Sequence, residues 1–298
     1  MQVLGVNETT PDFDVPTGAC DCHVHVFGPP DRFPFSPDRV YTPGLASVDD
    51  LMVLQKALRL DRVVIVQPSP YGTDNSCTVD ALQQLGSRGR GVVVIDAATS
   101  DTTLAEMHAA GVRGVRLNLE TLGQHDPVAA AQQLRWAAAR VAPLGWHVQT
   151  YTNLSMLTAL HETILELPTT LVIDHFGRAP AAPGIEQPGF DRLLALLRTG
   201  KVYIKMSAPY QISQVADYAD VKAIVDAMVA ANPDRVLWAT NWPHPLGGGA
   251  RPRQREGIES FRAEDDGQAL NRIARWVTEP EWLRKLLVEN PARLYWPD

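Results

Sequence analysis

Eight short β-branched runs, each followed by an amphipathic helical stretch, predict a single-domain α/β chain folded as a (β/α)8 TIM barrel. The runs are apolar on both faces, as strands covered on both sides must be. A His-x-His pair follows the first run, where an open doubly wound sheet usually carries a Gly-rich phosphate turn. The domain spans 1–298, with an N-terminal extension over 1–17 and closing helices over 270–298.

In chain order the runs are "GACDCHVHVF", "DRVVIVQ", "RGVVVIDA", "GVRGVRLNL", "GWHVQTY", "TTLVIDHF", "KVYIKMS" and "DRVLWATN". The helical stretches that answer the first seven lie at 47–59, 76–87, 101–110, 126–142, 153–166, 188–198 and 218–231. Ser47 followed by Val-Asp-Asp is a helix start, and Ala110-Gly111 is a helix stop before the next strand. Stretches 178–189 and 243–257 are rich in Pro and Gly and read as long loops over one mouth of the barrel.

The 298 residues are 45% hydrophobic and 20% charged, which is ordinary for a soluble globular protein. A net charge of −7 leaves no basic footprint for nucleic acid or an anionic membrane. No run approaches the roughly 18 apolar residues of a membrane span. The polar N-terminus has neither a charged n-region nor an apolar h-region, and the three cysteines read as reduced thiols, so a cytoplasmic protein is expected, monomer or homodimer. Cys20 and Cys22 share one strand face and read as core packing.

In such a barrel the chemistry sits at the C-terminal strand ends. Strand 1 offers His23 and His25, whose i, i+2 spacing points both imidazoles inward, as a metal site or as a metal-free acid–base or electrophilic pair. Strand 2 runs into Ser69 and Tyr71, and strand 4 offers Arg116 and Asn118 at the same inward parity, with Arg116 suited to anchor a carboxylate. Strand 5 holds His147, read as core, and ends at Tyr151. Strand 6 ends in His175, with Asp174 expected on the opposite face, towards the helices. Strand 7 gives Lys205, Ser207 and Tyr210, and strand 8 gives Asn241 and His244. The tyrosines also fit plain rim packing.

Taken together, "DCHVHVFGP", "RFPFSP", "VIVQ…GTDN", "RGVRLN", "GWHVQTY", "VIDHFGR", "WPHP" and "NPARLYW" resemble the amidohydrolase superfamily, in its amidohydrolase-2 branch of pyrone-dicarboxylate and sugar-acid lactonases. The resemblance runs in order from about residue 18 to 296. It implies a cytoplasmic hydrolase of cyclic esters, serving the catabolism of aromatic compounds. Many members hold divalent metal through the strand-1 histidines, a strand-6 histidine and a strand-8 aspartate. This chain keeps His23, His25 and His175, but Tyr151 stands at the strand-5 ligand position and Asn241 at the strand-8 aspartate. The lactonase branch works without metal, so no cofactor is expected beyond adventitious or structural zinc; a bound metal would fall on His23, His25 and His175. In the metal-free reading these three polarise the lactone carbonyl and residue 241 orients water.

Asn241 is an Asp→Asn change, natural or introduced, or it marks chemistry that needs no water activation there; His244 or His175 is the other candidate base. The substrate expected is a small carboxylated lactone, such as a pyrone carboxylate, a muconolactone or a sugar-acid lactone, bound by Tyr41, Ser69, Tyr71, Arg116, Asn118, Tyr151, Tyr210 and His244. One anionic group fits better than two, because a second strand-4 arginine is missing; Arg251, Arg253 and Arg255 are the loop residues able to compensate. A lactone isomerase and a metal-dependent decarboxylase of the same superfamily are the alternatives.

Overall fold

The computed structural model describes residues 8–120, 123, 125–245 and 255–297. Eight parallel strands follow one another in one sheet, in the order β1 to β8. They are β1 (Cys20–Val24), β2 (Arg62–Val66), β3 (Gly89–Val93), β4 (Val112–Asn118), β5 (His147–Tyr151), β6 (Leu171–Ile173), β7 (Val202–Met206) and β8 (Val236–Trp238). Between and after them come α1 (Val48–Ala57), α2 (Ser76–Leu85), α3 (Asp101–Ala109), α4 (Pro127–Val141), α5 (Leu154–Ala159), α6 (His161–Glu166), α7 (Phe190–Arg198), α8 (Lys222–Ala231), α9 (Asp266–Trp276), α10 (Pro280–Arg284) and α11 (Asn290–Tyr295). This alternation is the (β/α)8 class that the sequence predicts. The stretch expected as one helix over 153–166 is two, α5 and α6, divided at Leu160.

The chain divides into two compact units. The first is Met1–Arg113 with Ala239–Arg275, and the second is Gly114–Trp238 with Trp276–Asp298. In the first, β1 pairs with β2 at Asp21↔Val63, and β2 with β3 at Val64↔Arg90. Helix α1 opens on a full capping box, Ser47 and Asp50 each accepting from the other's backbone N–H, a device worth about 1 kcal/mol. The N-terminal extension lies along α9, with Asp12 N–H donating to Asn271 Oδ1 at 2.9 Å. Gly267 is required there, since a Cβ would lie 1.7 Å from the Thr9 carbonyl oxygen.

In the second unit the pairings Arg116↔Gln149, Gln149↔Val172, Val172↔Tyr203 and Lys205↔Leu237 run from β4 to β8. Gln149 and Lys205 are fully buried, as are the apolar faces of β6 and β7. Asn290, at the start of α11, donates to the carbonyls of Pro233 (2.8 Å) and Val236 (2.9 Å) and so ties the C-terminal helix to β8. Among the described residues no helix is long and apolar enough to cross a membrane.

Candidate active site

In the first unit the site is organised by Asp21, a fully buried carboxylate on the same strand face as the histidines. Its Oδ1 accepts from the N–H groups of His23 and Thr240 (both 3.1 Å), and its Oδ2 accepts from the Thr240 hydroxyl (2.6 Å). This clamp holds residues 240–242 beside β1. Asn241 N–H then donates to the His23 carbonyl (3.0 Å), and His25 N–H to the Trp242 carbonyl (2.8 Å). Burial pushes the Asp21 carboxyl up to about 7, against the lowering effect of its Thr240 and His23 donors.

The histidine pair is where the sequence places it. The two Nε2 atoms lie 3.3 Å apart, with the rings edge to face. His25 Nδ1 is 2.8 Å from the Val66 carbonyl oxygen, which can only accept, so this nitrogen carries the proton. A neutral His25 therefore has a bare Nε2, and His23 donates its Nε2–H to it. The arrangement gives two converging imidazole nitrogens, one with its far nitrogen anchored on a carbonyl. That donor set suits a divalent ion. Asn241 does not complete it, because a neutral amide neither offsets the ion's charge nor takes a proton from bound water.

His244 leaves the strand-8 segment with φ 65, and its N–H donates to the Asn241 carbonyl at 2.8 Å. Its Nε2 lies 3.1 Å from Asp266 Oδ2, both groups being buried. Burial alone would lower the His244 pKa, but the Asp266 charge and hydrogen bond outweigh it and raise it. Glu8 caps α9 through the N–H groups of Asp266 (2.5 Å) and Gly267 (3.3 Å), and burial together with Asp266 pushes its carboxyl up to about 7. Tyr71 is 2% exposed; its hydroxyl accepts from Gly28 N–H at 3.0 Å and its ring packs on Phe35. It holds the loop after β1. Tyr41 is buried and Ser69 opens the short turn after β2. Buried Gln67 shapes the "GTDN" loop by donating to the Asp74 carbonyl (2.7 Å) and accepting from Thr78 (2.6 Å).

In the second unit the expectation for Asp174 is overturned. It was read as facing the helices, but its Oδ2 accepts from Arg116 Nε (3.2 Å) and Nη2 (3.1 Å), and its Oδ1 lies 3.8 Å from Lys205 Nζ. The register explains this. Gln149 pairs with both Arg116 and Val172, so Val172, and Asp174 two residues on, share the face of Arg116. His175 reaches its place by another route: β6 ends at Ile173, and His175, Phe176, Gly177 and Arg178 all take left-handed φ values between 49 and 61. Such conformations cost a non-glycine residue about 1–2 kcal/mol and recur at functional sites. His175 Nδ1 is 2.8 Å from Ser207 Oγ. Burial lowers its pKa to about 3, reinforced by Arg116, Lys205 and Arg178 and opposed by Asp174, so the imidazole is neutral at working pH.

Arg116 thus enters the site already paired, its guanidinium 5.5 Å from the Tyr151 ring centre. Tyr151 donates to Gln211 Oε1 at 2.9 Å. Asn118 and Tyr210 are half-buried at the ends of β4 and β7. His147 packs edge-on against Tyr295 with Gly114 making room for it, which matches its reading as core. Three residues carry weight that the sequence does not announce: Asp21, Glu120 and Arg178. Arg251 and Arg253 lie outside the described residues.

Buried imidazoles at the strand ends of a barrel stand on the face where this fold carries its chemistry. The chain belongs to the amidohydrolase family, whose model matches residues 20–296. It is 38% identical to a 2-pyrone-4,6-dicarboxylate hydrolase of Comamonas testosteroni, over 98% of this chain and 94% of the relative. It is 34% identical to a 4-sulfomuconolactone hydrolase of Rhizobium radiobacter, over 95% of this chain and 91% of the relative. A crystal structure of an Agrobacterium tumefaciens protein in its apo state superposes with a TM-score of 0.81 at 26% identity, covering 96% of this chain and 98% of the other.

Proposed function

We propose that this chain hydrolyses a small lactone bearing an anionic group, without a catalytic metal, as a cytoplasmic enzyme in the breakdown of aromatic compounds. The observation that carries the reading is the locked histidine pair at the end of β1, with Asn241 bonded by its backbone to His23. Relatives named as hydrolases of a pyrone dicarboxylate and of a sulfomuconolactone support the substrate class.

In this reading water adds to the lactone carbonyl carbon, His23 turns its Nε2–H from the bare Nε2 of His25 to the oxyanion beside an N–H of His175, and the ring C–O bond then breaks, its oxygen taking a proton to release a hydroxy acid. Neutral His175 presents one N–H and one lone pair. Tyr41, Ser69, Tyr71, Asn118, Tyr151, Tyr210 and His244 line the substrate, and the Arg116 pair faces its acid group. Asn241 orients the water but has no basicity to remove its proton. The next candidate for that proton is His244, whose Nε2–H is held by Asp266 and whose Nδ1 is then the basic atom.

The test is Asn241→Asp, assayed on muconolactones, pyrone carboxylates and sugar-acid lactones by base uptake. General-base help is worth about 10²–10⁴, so a gain of that order is expected. Measurable hydrolysis that is unchanged by the exchange would place the base on His244 and overturn the role of position 241. A second reading, lactone isomerisation, is favoured by Asn241 itself, since moving an acyl group between hydroxyls needs no activated water. NMR of the Asn form with sugar-acid lactones separates the two, ring migration without base uptake marking the isomerase.

A further inference from the structure

Around Tyr151 the second unit builds a cluster whose outer members, Arg178 and Glu120, have no part in the proposed hydrolysis. Arg178 Nη1 donates to Glu120 Oε1 at 2.6 Å and lies 3.3 Å from the Tyr151 hydroxyl oxygen. Glu120 is held from its other side by Asn153 Nδ2, 2.9 Å from Oε2. The Arg178 guanidinium is 5.6 Å from the Tyr151 ring centre and that of Arg116 is 5.5 Å away, so two cations lie close to one ring.

The charges in this cluster do not cancel. Among its described residues, Arg116, Arg178 and Lys205 are three cations and Asp174 and Glu120 are two carboxylates. One positive charge is left over. Arg116, Lys205 and Asp174 are buried and fixed in number. The Arg178–Glu120 pair is the adjustable part, with side chains 17% and 25% exposed. Glu120 meets Arg178 through a single nitrogen, and among the described residues no hydrogen bond is made by Arg178 Nε or Nη2. That edge of the guanidinium matches a carboxylate or sulfonate.

We propose that Glu120 sets the charge selectivity of this enzyme: by neutralising Arg178 it leaves one surplus cation and matches the site to lactones with a single anionic group. The inference rests on the anionic-lactone reading above and adds the residue that counts the charges. Without Glu120 the surplus becomes two, and a dianionic lactone becomes the better match. A unit change of charge at a partly exposed site is worth about tenfold in relative affinity.

The experiment compares matched pairs that differ by one carboxylate. For turnover these are 2-pyrone-6-carboxylate and 2-pyrone-4,6-dicarboxylate. For binding without turnover they are pyridine-2-carboxylate and pyridine-2,4-dicarboxylate, measured by calorimetry. Glu120→Gln is expected to raise the dianion-to-monoanion affinity ratio about tenfold. Glu120→Asp, which keeps the charge, should leave the ratio where it is, and Glu120→Gln with Arg178→Met should return it to the starting value. An unchanged ratio in Glu120→Gln, a shift that survives loss of Arg178, or an unmodified protein that binds neither pyridine acid overturns the inference. If no lactone is turned over while the binding ratio still shifts, the hydrolase reading fails and the charge selectivity stands.

Discussion

In the first unit the buried carboxylate of Asp21 accepts, among the described residues, from neutral donors, two backbone N–H groups and a hydroxyl. In the second unit the buried carboxylate of Asp174 sits among cations, with Arg116 bonded to one oxygen and Lys205 near the other. The consequences for protons are opposite. Asp21 and His244 are both shifted to hold a proton more firmly, whereas His175 gives its proton up far below the usual histidine range. Neutral hydrogen bonds fix a backbone in place while leaving the acid weak. Around Asp174 ion pairs fix side chains, while burial, helped by the cations and opposed by Asp174, drives the neighbouring imidazole neutral.

The sharpest way to break this contrast is Asp174→Ala. It leaves two buried cations without their carboxylate and should cost about 3–5 kcal/mol, read as a lower urea midpoint. Asp21→Asn, which removes one acceptor from a neutral cluster, should cost about 1–3 kcal/mol. Equal losses would erase the distinction between the two units.

The pH dependence sharpens it further. His175 has a folded pKa of about 3 against an ordinary 6.5, so its stabilising effect is present above 6.5 and is lost as pH falls towards 3. His175→Gln should flatten that acid limb. Asp21 runs the other way: its folded pKa of about 7 lies above the ordinary 3.8, so its contribution is present below about 4 and lost as pH rises to 7. Asp21→Asn should flatten the profile across that window. Chemical denaturation at stepped pH reads both limbs. The smallest effect expected is on chelation. If the imidazole pair works as donors, dialysis against a strong chelator should leave lactone hydrolysis within twofold, and a loss of more than tenfold, restored by zinc, would reassign the pair as ligands.

Much of the fold was legible because periodicity is local. Each strand run and its following helix could be read without knowing its neighbours, and Ser47 with Asp50 announced α1 as a capping box does. The inward histidine pair was legible for the same reason, since strand parity alone puts His23 and His25 on one side. The division of α5 from α6 at Leu160 carries no Gly or Pro to mark it. Asp174 was misread because β6 is only three residues long, and its face is decided by register with Gln149 rather than by the residues around it. Asp21 and Thr240 are 219 positions apart, and no local pattern reports such a bond. Glu120 and Arg178 both lie beyond strand ends, where the turn geometry, not alternation, decides where a side chain goes.

The left-handed run from His175 to Arg178 has a consequence for how this chain would change under selection. Phe176 and, further on, Ala208 hold φ values of 56 and 50 that glycine would adopt freely. A lineage pressed to survive heat would find glycine an early gain at Ala208, where one methyl is lost, but not at Phe176, whose buried ring is worth about 3–5 kcal/mol against about 1–2 kcal/mol of strain. The buried ring of Phe176 therefore keeps the short arm strained, with a neutral imidazole at one end and the charge-counting arginine at the other. Heat tolerance would have to be gained outside these four residues, which leaves substrate discrimination untouched by it.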